Sequence, residues 1–232
     1  MENRTLIIVP AYNEEQALPA TLAELKRHFP PENILVVNDG SADGTGAAAK
    51  NAGVRVVNLP VNMGIGVAMQ TGYKFAARNG FEAAVQCDGD GQHPARQIPQ
   101  LLAGLTEGNN LVVGSRFVDA DMEGFKSLFV RRQVIRYFSH LIALLTGVRV
   151  WDVTSGFRAA DRRVIEIYSA DYPFDYPEPE ALVLLARHGC RIAEVPVVMR
   201  GRQGGVSSIG LFAGLYYVVK VSIGLLVQRL RR

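Results

Sequence analysis

The feature that most constrains this chain is a repeated alternation between short, β-branched apolar runs and longer stretches with helical spacing of apolar residues. Such alternation is typical of a mostly parallel sheet covered by helices on both faces, so the sequence predicts an α/β, doubly wound, Rossmann-like fold. The predicted strands are Thr5–Val9, Ile34–Asn38, Val54–Leu59, Glu82–Cys87, Leu111–Gly114 and Ile192–Met199. The predicted helices cover about 14–28, 43–52, 63–79, 94–108, 126–145, a segment from about 161, and 180–188.

Composition narrows the class of protein further. With 232 residues, 48% of them hydrophobic and 20% charged, the chain can bury the core of a globular domain, which excludes a disordered chain or a disulfide miniprotein. A net charge of +3 is too small to indicate nucleic acid, and we expect no nucleic-acid partner. Cys87 and Cys190 lie far apart, which favours buried thiols in a reducing cytosolic compartment.

The C-terminal segment has a different character. Residues 209–227 contain one charge, Lys220, and a basic QRLRR sequence follows them. A central lysine costs about 2.5–3.5 kcal/mol on membrane insertion, so we expect a helix that lies in the membrane interface with its arginines on acidic lipid. The alternative is a helix that packs on the domain or on a partner in a homo-oligomer. We therefore divide the chain into a domain at 1–208 and a C-terminal helix at 209–232, and expect a cytoplasmic protein, peripheral on the inner face of the membrane.

Polar clusters follow three of the predicted strands. They span residues 10–14, 38–45 and 88–93, and ligands of open parallel sheets bind beyond the carboxyl ends of the strands. Asp88 and Asp90 project to the same side in extended backbone, where two carboxylates favour Mg²⁺ or Mn²⁺, with Gln92 as a further oxygen ligand. The alternative for this Asp-Gly-Asp sequence is a solvated turn.

Two other positions in these clusters suit a nucleotide. Asp39 ends a strand, where acidic residues accept hydrogen bonds from a ribose or a base, although it could instead cap the next helix. Gly64 opens a predicted helix whose amides could face a phosphate. Met69 stands where a dinucleotide fingerprint has its third glycine, so that motif is incomplete.

Arginines follow the last part of the sheet. Their planar guanidinium groups match phosphate oxygens, although any one of them could equally form a surface ion pair. The candidates are Arg116, Arg131, Arg132, Arg200 and Arg202.

These motifs together resemble the family 2 inverting glycosyltransferases of GT-A fold, in particular enzymes like dolichyl-phosphate mannose synthase. The matching segments are VPAYNEE (9–15), VVNDGSADGT (36–45), NMGIGVAMQTGY (62–73), CDGDGQHP (87–94), VGSRF (113–117) and DVTSGFRA (152–159). The sequence departs from the family pattern at Asn38 and Asn62, and it lacks the paired transmembrane helices of some relatives.

The resemblance implies roles for individual residues. Pro10, Tyr12, Glu14 and Asp39 would bind the nucleotide, and we add Gly64 to that set. Asp88, Asp90 and Gln92 would hold the divalent metal on the sugar diphosphate, with Asp88 also counted among the residues that contact the donor. Arg116 and one of Arg131 and Arg132 would lie at the acceptor phosphate. From the glycine-rich loop we add Arg202 to Asp90 and Arg116 as catalytic candidates, and Ser207 to the acceptor set.

The function expected from these residues is metal-dependent, inverting transfer of a sugar from a nucleoside diphosphate sugar to a polyprenyl phosphate. A phosphate acceptor is already anionic near neutral pH and needs no general base. A hydroxyl of a cell-envelope glycan or lipid-linked saccharide would need a carboxylate base, with Asp152, Glu178 and Glu180 as candidates. A nucleotidyltransferase is disfavoured because the first loop is acidic, and a non-catalytic membrane scaffold is a remote alternative.

Overall fold

One seven-stranded sheet organises the protein. The computed structural model describes residues 4–117, 129–201 and 211–231, and the side chains of 129–131 and 211–215 lie outside that description. The strand order is β3-β2-β1-β4-β6-β5-β7. The strands are β1 (Thr5–Ala11), β2 (Ile34–Asn38), β3 (Arg55–Asn58), β4 (Ala83–Gln86), β5 (Leu111–Ser115), β6 (Arg158–Asp161) and β7 (Ile192–Pro196).

The six predicted strands are all present, and a seventh was not predicted. β1, β2, β3 and β4 form a parallel block, and β5 pairs with β7 in parallel. β6 lies between β4 and β5 and is antiparallel to both. Its four residues, RAAD, begin with an arginine and are too short to show a period of two, so the sequence indicated only a loop before the next helix. The sheet is therefore mixed rather than wholly parallel.

Helices cover both faces of the sheet, as predicted. Alternate residues of β1 enter two separate cores: Ile7 and Val9 belong to one, and Leu6 and Ile8 to the other. The first core also contains side chains of α1, α2 and α4, and the second those of α3 and α5 to α8. The helices are α1 (Leu18–Leu25), α2 (Thr45–Asn51), α3 (Ile65–Arg78), α4 (Ile98–Thr106), α5 (Phe129–Thr146), α6 (Arg162–Ala170), α7 (Pro177–Arg187) and α8 (Leu211–Leu230).

Local chemistry fixes the N-terminal ends of two helices. Asp161 accepts a hydrogen bond from the Val164 N–H at 2.9 Å and so caps α6 at its first turn. α7 begins at Pro177, three residues before the predicted start, because proline is favoured in the first turn and the following glutamates suit the positive end of the helix dipole. This earlier start brings Glu178 into the first turn of α7.

α8 packs on the domain through one face. Val221 and Leu225 are fully buried and belong to the same core as α5 and α7. Lys220 pairs with Asp175 at 2.6 Å, in the loop before α7. Among the helices of the described residues, none combines the length and the apolar character needed to cross a bilayer. The C-terminal segment therefore contributes side chains to the domain core.

The two cysteines are buried free thiols, as predicted. Burial raises the pKa of both Cys87 and Cys190, which keeps these thiols protonated near neutral pH.

Candidate functional site

A cleft opens where the carboxyl ends of β1, β2 and β4 meet. Its volume is about 380 Å³. It brings together seven of the residues predicted to bind nucleotide or metal. The lining residues are Pro10, Ala11, Tyr12, Glu14, Asp39, Asn62, Gly64, Ile65, Ala68, Asp88, Gly89 and Asp90.

Hydrogen bonds from backbone N–H groups to side-chain hydroxyls fix the loop after β1 to the segment between β2 and the start of α2. The Glu14 N–H donates to Thr45 Oγ1 at 2.8 Å, and the Asn13 N–H donates to Ser41 Oγ at 3.0 Å. Asn13 has a φ of 54°, a left-handed conformation that asparagine adopts more readily than most residues. This turn sets Tyr12, which is 46% exposed, at the cleft wall.

Asp39 organises the wall opposite that loop. Its carboxylate is buried and accepts the Met63 N–H at 2.8 Å and the Gly64 N–H at 2.9 Å. Asp39 therefore fixes the turn that leads into α3 and does not cap α2. The Gly64 N–H is bound to Asp39, and the N–H groups of Val67 and Ala68 donate to the Gly64 carbonyl, so the amides available at that helix terminus are those of Ile65 and Gly66.

Asp88 and Asp90 lie on the floor of the cleft, directly after β4. Gln86 Nε2 donates to Asp88 Oδ1 at 3.1 Å, and the Gln92 N–H donates to Asp90 Oδ1 at 3.0 Å. Asp90 is 5% exposed, and Asp88 is half-buried. Two carboxylates thus share a concave surface, and their repulsion would favour a cation between them.

His93 fixes the backbone of Asp88 on the floor of the cleft. Its Nδ1 accepts the Asp88 N–H at 3.0 Å, so in the neutral ring the proton lies on Nε2, which is 3.8 Å from Asp88 Oδ2. The buried ring stacks on Phe157 at a centroid distance of 4.8 Å. His93 therefore positions an acidic residue of the cleft.

The donor set suits a magnesium-like ion that is shared with a substrate. Among the described residues there is no group of three or more His, Cys, Asp or Glu side chains that could hold a metal by themselves. Mg²⁺ commonly binds one or two carboxylates and completes its octahedron with water and substrate phosphate. The carboxylates of Asp88 and Asp90 fit that pattern.

Arg116 is held by a buried carboxylate. Its Nε and Nη2 donate to the two oxygens of Asp152, each at 2.7 Å, and Asp152 is 0% exposed. Glu194 in turn accepts the Trp151 and Asp152 N–H groups at 2.7 and 2.8 Å. Burial raises the pKa of Glu194. Asp152, one of the three candidate bases, is thus the partner of Arg116 and does not line the cleft.

Sequence reasoning did not identify Arg158. It is 2% exposed, and its guanidinium donates to the carbonyls of Ser155, Glu178 and Val153 at 2.6, 2.9 and 3.0 Å. The signal for a buried arginine in the sequence was its position between two apolar residues, Phe157 and Ala159. Arg158 ties the loop after Asp152 to the first turn of α7.

The other two candidate bases face different surroundings. Burial raises the pKa of Glu178, and the negative charge of Asp88 raises it further, while Arg158 acts in the opposite direction. Burial also raises the pKa of Glu180, whose carboxylate lies against Gly224 of α8. Of these two candidate bases, Glu178 is therefore the one whose pKa is affected by a carboxylate of the cleft.

Several predicted residues are not brought to the cleft. Gln92 is not a lining residue, and its Nε2 donates to the Arg200 carbonyl at 3.4 Å, while Arg200 pairs with Glu24.

Among the residues predicted to bind the acceptor, Arg132 is exposed on α5. The side chain of Arg131, and Arg202 and Ser207 entirely, lie outside the described residues, so their roles remain predictions.

The fold and its acidic cleft define a GT-A glycosyltransferase architecture. The model of the family described as "Glycosyl transferase family 2" matches residues 6–168. The chain therefore belongs to glycosyl transferase family 2, and it is a glycosyltransferase.

Two curated relatives extend over most of the chain. A polyprenol monophosphomannose synthase of Mycolicibacterium smegmatis is 32% identical over 219 residues, covering 89% of this chain and 81% of that protein. An undecaprenyl-phosphate mannosyltransferase of Micrococcus luteus is 34% identical over 218 residues, covering 89% and 87%.

A solved structure shows the same fold. Glucosyl-3-phosphoglycerate synthase from Mycobacterium tuberculosis, solved with Mn²⁺, uridine-diphosphate-glucose and phosphoglyceric acid, aligns with a TM-score of 0.73 at 24% identity. The alignment covers 97% of this chain and 79% of that one.

Proposed function

We propose that this glycosyltransferase moves a sugar, with inversion, from a nucleoside diphosphate sugar to a polyprenyl phosphate at the cytoplasmic face of a membrane. The observation that carries the donor half is the placement of Asp39, Asp88 and Asp90 around one cleft. The relatives named above, whose names specify polyprenol or undecaprenyl phosphate, support the acceptor.

The nucleotide would lie between the loop after β1 and the start of α3. Tyr12 and Glu14 form one wall and Asp39 fixes the other, so hydrogen bonds between backbone N–H groups and side chains hold both walls before a ligand arrives. Preorganisation of this kind lowers the entropy cost of binding.

Asp88 and Asp90 would hold a divalent ion; Gln92, whose side chain bonds the Arg200 carbonyl outside the cleft, would join them only after turning its amide oxygen towards the ion. A bound Mg²⁺ or Mn²⁺ would neutralise the charge that develops on the leaving diphosphate. Gln86 orients the Asp88 carboxylate by a hydrogen bond, and His93 fixes the Asp88 backbone.

The acceptor phosphate would need cationic partners. Arg116, oriented by Asp152, is the described candidate, together with the exposed Arg132; Arg131, Arg202 and Ser207 complete the proposed set. A phosphate oxygen that is already anionic attacks the anomeric carbon without a base.

A hydroxyl acceptor is the second candidate function, and Glu178 is the observation that favours it. This glutamate stands in the first turn of α7, and the negative charge of Asp88 contributes to raising its pKa. A hydroxyl of a glycan would require such a carboxylate as base.

A product assay tests both functions. Purified protein with Mg²⁺ or Mn²⁺ and a panel of nucleoside diphosphate sugars is incubated with undecaprenyl phosphate or with a glycan acceptor, using wild type and Glu178→Gln. The proposal predicts a metal-dependent lipid-phosphate product that Glu178→Gln still forms. Product with the glycan alone, lost in Glu178→Gln, would establish the second function instead.

A further inference from the structure

A second cavity lies at the C-terminal ends of three helices, remote from the first turn of α7. Its volume is about 310 Å³. Three of its six lining residues are arginines, and none is an acid. The lining residues are Leu145, Thr146, Ala186, Arg187, Arg229 and Arg231, which we call the arginine cavity.

Hydrogen bonds between the helices build this cavity. Arg187 Nη1, at the end of α7, donates to the Gln228 carbonyl of α8 at 2.9 Å. Arg229 Nε, in the last turn of α8, donates to the Leu145 carbonyl of α5 at 2.8 Å. Each guanidinium has five N–H donors, so these single bonds orient the arginines without using up their capacity to bind an anion.

The charge balance of the cavity is positive. Each helix C-terminus carries about half a negative charge, so three of them contribute about −1.5 against three arginines. Asp171 is 3.7 Å from Arg231, and both side chains are more than half exposed, which makes their attraction weak in water. Even with the Asp171 carboxylate counted, a net charge of about +0.5 remains for an anion.

A buried donor lies beside the cavity. Gln228 is 4% exposed, and its side-chain Nε2 has no hydrogen-bond partner among the described residues. Buried amide groups are almost always paired, so an oxygen-bearing ligand or water near this residue is expected.

The exposed apolar face of α8 ends at Leu230, between the cavity-lining residues Arg229 and Arg231. Six apolar residues of this helix are 46–79% exposed, while Val221, Leu225 and Gln228 are buried. At 3.6 residues per turn, the six fall within an arc of about 100°, opposite the buried residues. The exposed residues are Tyr216, Val219, Ile223, Leu226, Val227 and Leu230.

We propose that the arginine cavity binds the phosphate of an anionic phospholipid headgroup while the apolar face of α8 lies on the bilayer. The charge of the cavity and its position at the end of that face favour a lipid phosphate as the occupant. The inference rests on the membrane partner in the proposed function, and it adds a specific headgroup site distant from the cleft.

Vesicle binding tests this site. Arg187→Gln/Arg231→Gln is compared with Arg27→Gln/Arg55→Gln, whose arginines are exposed after α1 and in β3 and do not line the cavity. Both double variants lose two positive charges. On equimolar phosphatidylcholine and phosphatidylglycerol vesicles we expect the cavity variant to bind about 25-fold more weakly and the control variant to bind like wild type.

Three results would overturn the proposal: equal losses in both variants, no loss in the cavity variant, or equal binding of wild type to pure phosphatidylcholine vesicles. Tight binding of inorganic phosphate without vesicles, lost in the cavity variant, would assign the cavity to a soluble anion and overturn the lipid assignment. Thermal melting confirms that the variants fold. Sugar transfer to a detergent-solubilised acceptor is measured in parallel, so a failure of the proposed function is seen independently of vesicle binding.

Discussion

The two halves of the sheet use charged residues in opposite ways. In the half built from β1 to β4, the carboxylates of Asp88 and Asp90 line an open cleft. In the half that contains β5 to β7, buried arginines are engaged inside the protein: Arg116 with a carboxylate and Arg158 with three backbone carbonyls. In the first half the carboxylates are available to a ligand, and in the second half the arginines hold loops together through internal hydrogen bonds.

The difference predicts where substitutions act. A change at a carboxylate of the cleft should reduce turnover with little effect on folding, because that group faces a cavity. A change at a buried arginine of the other half should reduce stability first, because it leaves an opposite charge or carbonyls unpaired. The following predictions test this contrast.

The largest effect is expected at Asp90. Asp90→Ala removes one of two carboxylates proposed to hold the divalent ion, and we expect turnover to fall about 10³-fold with little change in melting temperature. Steady-state sugar transfer with Mg²⁺ or Mn²⁺ measures it. Glu107→Gln, at the exposed end of α4, is the charge control. Turnover at the wild-type rate in Asp90→Ala would remove the metal from the mechanism.

The next effect is expected at Arg116. Arg116→Met leaves Asp152 buried and unpaired, and we expect a loss of about 3 kcal/mol of unfolding free energy. Denaturant unfolding measures this, and Arg116→Met/Asp152→Asn should recover most of it, because asparagine still accepts from the backbone and no charge remains.

The double variant also separates the two roles of Arg116. If it folds stably but transfers no sugar to a polyprenyl phosphate, Arg116 acts on the acceptor as well as in the fold. If it retains wild-type transfer, Arg116 is a structural residue and the acceptor phosphate binds elsewhere. A destabilisation of less than about 1 kcal/mol in Arg116→Met would contradict the stabilising role.

A smaller effect is expected where the halves meet, at Gly66. A Cβ there would overlap the carbonyl oxygens of Pro173 and Phe174, backbone atoms that cannot rotate away. Gly66→Ala should cost about 2 kcal/mol, or about 4–8 °C in melting temperature. Gly201→Ala, with open space around its Cβ, is the matched control and should leave the melting temperature unchanged. Equal melting temperatures for both variants would show that α3 moves freely against this loop.

The smallest effect is expected at Glu24. The hydrogen-bonded guanidinium of Arg200 lowers the pKa of Glu24, so this pair contributes stability above the pKa of an unfolded glutamate and loses it as the pH falls through the lowered value. Because both side chains are partly exposed, Glu24→Gln should cost about 1 kcal/mol or less at neutral pH. Melting temperatures measured at about pH 3 and near neutral pH should show the difference only in the neutral sample. A constant difference across that range would assign the effect to packing.

Much of the donor half could be predicted from the sequence. Runs such as Leu6–Val9 and Ile34–Val37 are buried on both faces of a parallel sheet, so they contain little but apolar residues and are easily recognised. The polar residues that follow them must then gather at one edge of the sheet, because parallel strands all end there. The convergence of Tyr12, Asp39 and Asp88 follows from that rule.

The C-terminal half was less predictable. β6 is four residues long and pairs with strands that lie about 50 to 75 residues away in sequence, so its existence depends on edges that only the assembled sheet provides. Asp152 was weighed as a base because an acid in a loop gives no sign of the arginine that will be buried beside it. The sequence of α8 was compatible with a helix that lies on a membrane and with a helix that packs on the domain, because both kinds of helix are apolar.

The sequence by itself determined the alternation of strands and helices, the edge at which polar residues gather and the family of the chain, because these follow from local periodicity and from short motifs. Only the tertiary structure decided which charges face a ligand and which are paired internally, and which face of α8 is covered. Burial and charge pairing depend on neighbours distant along the chain, and no local pattern records those neighbours.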